Sequence, residues 1–180
     1  MSQRVRIAIA VAIGVVLLSA FFGYFLNETS GNDGPAQPQP GTPLFDALER
    51  ASAAQAPWGD GWTEALISAN ERCLTVLVAD TDFERVQGLR AVTDLGVYDG
   101  MLFVFPEDVG SRFTMANTLM PLDIDWYAVD GTHVSSEEMT PCPEGNDGNC
   151  PVYGATAPYR YALETPSGGG AGGGTLGGCS

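Results

Sequence analysis

The chain has 180 residues, enough for one ordinary domain with extensions and too few for two full cores. Acidic residues number 22 against 8 basic ones, every one of them Arg, for a net charge of −14. That balance excludes nucleic acid and anionic surfaces as partners, since both demand clustered positive charge.

Residues 7–26, IAIAVAIGVVLLSAFFGYFL, carry no charge. A helix of that length is about 30 Å long, the thickness of a bilayer core. Arg4 and Arg6 precede the run, and Glu28 and Asp33 follow it. The positive-inside bias predicts a single-pass anchor in the cell membrane, with the N-terminus cytoplasmic and residues 27–180 on the far side. A cleaved signal peptide is the alternative. Its apolar region would be about 7–15 residues, and the best small-residue site, Leu18-Ser19-Ala20, lies inside the run. Both readings export the remainder, whose net charge is −16.

Residues 27–43 hold four Pro and three Gly and read as an extended linker. Asn27-Glu28-Thr29 fits the N-glycosylation pattern, which matters only in a eukaryotic secretory pathway. A short helix is expected over Phe45–Ala56. The division of the chain is then 1–26 for stub and anchor, 27–61 for linker and helix, 62–168 for the domain, and 169–180 for a tail.

Within the domain, 64–68 and 73–79 alternate as strands around a turn at 69–72. Thr81-x-x-Glu84 is a capping box, so a helix should start at Asp82 and end near Gly88. Strands follow at 101–105, 112–115, 122–129, 132–139 and 159–165, with Asp130-Gly131 as a hairpin turn. The predicted class is mainly β with minor α: a compact, antiparallel, β-barrel-like domain with one short helix, behind a transmembrane helix and linker.

Four cysteines suit an oxidising compartment. Cys142 and Cys150 flank the turn-rich PEGNDGN, and a disulfide there closes nine residues, worth about 2–3 kcal/mol on the chain-entropy model. Metal binding is a poorer fit, because the spacing is not C-x2-C and His133 is the only His. Cys73 and Cys179 remain as a weaker second pair. Eight of the eleven residues from Gly168 to Gly178 are Gly. A formal G-x-G-x-x-G falls there, yet no helix follows it, so the tail reads as low complexity and no cofactor is implied.

Several strings share one pattern: Glu84-Arg85-x-x-Gly88-Leu89; Gly100-Met101-Leu102-Phe103-x-Phe105; Phe113-x-Met115-x-Asn117-Thr118-Leu119-x-Pro121-Leu122-Asp123-Ile124; and Leu163-Glu164-x-Pro166-x-Gly168. Over residues 74–168 the chain resembles the DUF192 (UPF0127) family, many of whose members carry an export or anchor segment. The resemblance implies a small barrel-like domain and transfers no activity. Arg90 and Val92 stand where the family usually has Met and Arg, and Thr114 replaces its usual aromatic. The Gly-rich tail replaces a further apolar strand, so a closing strand is either missing or supplied by the N-terminal extension.

Arg85, Asn117, Thr118, Asp123 and Glu164 are polar residues set in apolar strings and form the candidate ligand site. The alternative is structural, with Asn117 and Thr118 capping turns and Asp123 paired to Arg85. No G-x-S-x-G or H-E-x-x-H pattern supports a serine or zinc hydrolase, and His133 is expected exposed on a strand. The acidic loop Glu144–Asp147 lacks the spacing of a calcium loop. Trp58, Trp62 and Tyr153 fit core packing better than a sugar platform. The sequence therefore points away from an enzyme, to an extracytoplasmic binding or envelope-associated module. The runner-up is an enzyme acting on a small extracellular substrate through Asp123 and Glu164.

Overall fold

The computed structural model describes residues 42–142, 149–170 and 172–179, all within the unit Pro35–Ser180. The expected anchor at 7–26, the linker up to residue 41 and the acidic loop lie outside the described residues. Among the described residues no helix is long and apolar enough to cross a membrane. In chain order the elements are α1 (Pro43–Glu49), β1 (Ser52–Ala53), β2 (Thr63–Ala69), β3 (Arg72–Ala79), α2 (Asp82–Gln87) and β4 (Gly100–Val109). After them come β5 (Phe113–Thr114), β6 (Leu122–Tyr127), β7 (His133–Met139), β8 (Val152–Tyr153), β9 (Tyr159–Pro166) and β10 (Leu176–Gly178).

Thr42 caps α1 by accepting a hydrogen bond from the Phe45 N–H at 3.3 Å, and Pro43 at the first position needs no donor. The helix is therefore earlier and shorter than the expected Phe45–Ala56, because Ser52 and Ala53 are drawn into β1 against Glu64 and Thr63. Asn70 and Glu71 both have positive φ, 49° and 63°, as the two-residue turn between β2 and β3 requires. Both halves of the expected capping box form at α2, where Glu84 N–H meets Thr81 Oγ1 at 3.2 Å and Thr81 N–H meets Glu84 Oε2 at 2.9 Å.

The main sheet runs β1-β2-β3-β4-β9-β6-β7, with β10 also on β2. Two features correct the barrel-like antiparallel expectation. β3 and β4 are parallel, which demands a crossover, and α2 with residues 88–99 supplies it. Among the described residues the sheet also does not close: β7 ends it, and the turn before β7 meets the tail through the Thr132–Thr175 bridge and the Leu176 N–H to Gly131 carbonyl bond. The mainly β class stands.

Alternation along β4 divides the core between the two faces of the sheet. Met101 and Phe103 join Leu89, Met115, Ile124 and Trp126 on one side. Leu102 joins Ile67, Val76, Tyr127, Leu163 and Leu176 on the other, with Leu44 of α1. Each fully buried Leu, Ile or Phe contributes about 1.5–3 kcal/mol.

The tail is the larger correction. Its glycines serve close approach: a Cβ on Gly178 would collide with the Pro43 carbonyl oxygen, so only Gly lets β10 slide beneath α1. Cys179 is disulfide-bonded to Cys73, and Cys142 to Cys150, each with 5.7 Å between Cα atoms.

Candidate functional site

A cavity of about 550 Å³ opens between α2, the β4–β5 connection and β9. Its base is apolar: Leu89 and Phe103 are buried, and the Phe113 ring meets Phe103 edge-on at 5.1 Å. Two polar side chains sit at that base, Thr118 and Glu164, 4 % and 5 % exposed. Arg85, Arg90, Arg112, Asp82 and Glu107 surround the mouth.

β9 carries Glu164 into the middle of the sheet, opposite Met101 of β4 and Ile124 of β6. Gly100 makes this possible, since a Cβ there would collide with the Glu164 carbonyl oxygen. Among the described residues no hydrogen bond or ion pair engages the Glu164 carboxyl. Burial pushes its pKa from the ordinary 4.5 up to about 8, because nothing offsets the loss of hydration. At pH 7 the group is mostly the neutral acid and a hydrogen-bond donor.

Of the residues expected to form a site, Arg85, Thr118 and Glu164 share this cavity. Arg85 is already engaged: it donates to the Val104 carbonyl at 2.7 Å, to the Asp80 carbonyl and to Asp82 Oδ1 at 2.7 Å. Its guanidinium also lies 5.5 Å from the centre of the Phe105 ring. Asn117 holds the adjacent turn at φ 59°, with its N–H on the Cys142 carbonyl and its own carbonyl accepting from Ala91. Its Oδ1 is buried and meets no hydrogen-bond partner among the described residues.

Asp123 does not join them, and the expected Arg85–Asp123 pair does not form. Asp123 is opposite Thr165, whereas Ile124 is opposite Glu164. Directly paired residues share a face and neighbours along a strand alternate, so the two carboxylates lie on opposite faces. Asp123 accepts instead from Gly168 N–H at 2.9 Å, Ser167 Oγ at 3.2 Å and Gly170 N–H at 3.3 Å, holding the turn after β9. A mechanism through both Asp123 and Glu164 has no geometric basis.

His133 is half-buried, not exposed. Its Nε2 lies 2.7 Å from Ser136 Oγ and 3.3 Å from Asp125 Oδ1, and Ser136 donates to the same Asp125 oxygen. A Ser-His-Asp relay places Ser and Asp on opposite ring nitrogens; here both meet Nε2, so this cluster is a polar brace of β6 and β7. Trp62 is core, and Trp58 anchors beside it by donating Nε1–H to the Arg90 carbonyl at 3.1 Å. Among the described residues no group of three His, Cys, Asp or Glu could hold a metal ion.

Sequence reasoning missed Arg90, Arg112 and the aromatic walls. A readable signal existed, because three of the six Arg beyond residue 26 line this one cavity of an acidic chain.

The model of the family DUF192, described as "Uncharacterized ACR", matches residues 65–174. A protein of unknown function from Novosphingobium aromaticivorans DSM 12444 has a similar crystal structure, with TM-score 0.54 and 25% identity over 68% of this chain and 86% of that one. A Sinorhizobium meliloti 1021 protein, provisionally described as a transcription regulator, has TM-score 0.46 and 30% identity over 58% of this chain and 78% of that one. No curated protein matches the chain significantly.

Proposed function

The chain belongs to the DUF192 family, and from that premise we propose that it is a membrane-anchored, extracytoplasmic module that binds a small molecule without transforming it. One observation carries the binding reading: a buried carboxyl that no other described residue engages sits at the base of an aromatic-walled cavity. A polar group left unsatisfied in an apolar site costs free energy that a ligand can restore. The cavity falls in the size range of small-molecule sites, mostly apolar with a few convergent polar groups. Its lining holds no His, Cys or Lys; Asp123 is on the other face of the sheet, and the cavity's remaining carboxylates, Asp82 and Glu107, are exposed at the mouth, with Asp82 paired to Arg85.

The test uses the full chain in detergent and two probes, 6-fluoro-2-naphthoate and 6-fluoro-2-naphthamide, followed by fluorine NMR line broadening. Ser111, exposed at the rim, is replaced by Trp to close the mouth. At least one probe should broaden with the wild-type chain and sharpen with Ser111→Trp. Identical line widths for both proteins with both probes would remove the binding reading.

The location rests on the apolar run 7–26 and on Arg4 and Arg6 before it. Protease added to sealed spheroplasts should digest the region beyond residue 27. Protection until lysis would reverse the orientation.

A further inference from the structure

We infer that the occupant of this cavity is an organic anion, an acid with an aromatic or aliphatic body, whose charged group is held by Arg90 and Arg112 at the mouth while the body lies against Leu89, Phe103 and Phe113. This rests on the binding reading above and adds the ligand's charge and polarity.

The distribution of charge is the first reason. Residues 27–180 carry −16, so a random surface pocket of this domain would be acidic. This cavity instead draws three of the six Arg of that region. Arg85 is neutralised by Asp82, but among the described residues neither Arg90 nor Arg112 has a carboxylate partner. Among the described residues Arg112 donates only to the Val152 carbonyl, at 3.3 Å. The other carboxylate at the mouth is Glu107, exposed and without a described ion pair.

The interior supplies the second reason. Glu164 would repel an anion if ionised, but its raised pKa keeps it largely protonated at pH 7. It then donates a hydrogen bond to a carbonyl, ether or hydroxyl oxygen at the ligand's inner end. The pocket thus grades from guanidinium at the mouth, through phenyl rings, to the Glu164 carboxyl and the Thr118 hydroxyl at the base. Guanidinium forks match the planar, bidentate geometry of carboxylates, which favours that acid over a bulky divalent one.

The same two probes separate this inference from its premise. Wild-type protein should bind 6-fluoro-2-naphthoate about tenfold more tightly than the amide, the effect of one charge-assisted contact. The double variant Arg90→Gln/Arg112→Gln should bring the two affinities together while leaving the amide nearly unchanged, which shows that the pocket is intact. Equal affinities in the wild type, or a preference that survives in the variant, would overturn the anion inference and leave the binding reading standing. Failure of both probes to bind would remove both.

Discussion

Glu164→Gln is expected to abolish most of a loss of stability that the wild-type domain suffers between pH 5.5 and pH 8.5. In the unfolded chain the carboxyl ionises near 4.5, but in the folded protein it holds its proton to about pH 8. Below 4.5 both states are protonated and the group is neutral in the balance. From there to about pH 8 the folded state binds the extra proton, so stability falls as pH rises, and above about 8 the penalty is constant. Each pKa unit corresponds to about 1.4 kcal/mol, which makes the difference across this window roughly 3 kcal/mol. Gln keeps the shape and a donor but does not titrate. Urea melts of both proteins at pH 5.5 and 8.5 isolate the effect, because the other acids cancel when variant is compared with wild type. Parallel pH profiles would mean that the carboxyl is hydrated or paired, and would weaken its part in the ligand site.

Local chemistry was the legible part of this fold. Thr81 and Glu84 announced their cap, and Asp130-Gly131 announced its turn, because both depend on residues within four positions of one another. Pairing between distant segments was not legible. Nothing in Val76 or Gly100 shows that β3 and β4 run parallel, since that follows from where the crossover packs. Asp123 illustrates how sensitive faces are to register: one step along β6 moves a side chain from the cavity side, where Ile124 points, to the turn after β9. Glu164 could be singled out as a polar residue in an apolar strand, yet its solitude could not, because absence of a partner is a property of three strands at once. The tail misled for a further reason. Glycine density is the mark of a flexible linker, but also of backbone that must pass close to other backbone, and only the position of α1 separates the two.

That tail leads to the other large expected effect. Removing the Cys73–Cys179 disulfide, by Cys73→Ser with Cys179→Ser, should cost more stability than removing Cys142–Cys150. The two cysteines are 106 positions apart against 8 for the other pair. On the chain-entropy model the long loop is worth about 4–5 kcal/mol and the short one about 2–3. The structure adds a local consequence. β10 is only three residues long, and its one buried apolar side chain is Leu176, 2 % exposed. Such a strand gains little from packing and, being mostly Gly, loses much entropy on ordering. Without the bridge β10 should detach, releasing the Leu176 N–H from the Gly131 carbonyl and uncovering Leu44 and Ala47 of α1. Hydrogen exchange would then accelerate along β2 at Ile67–Ala69 and in α1, while the β4–β9–β6 centre stays protected until global unfolding. Urea melts of the two double variants measure the order of the losses, and exchange locates them. A smaller loss for Cys73–Cys179 than for Cys142–Cys150, or unchanged protection at Ile67–Ala69, would mean that β10 holds its place on β2 through backbone pairing alone.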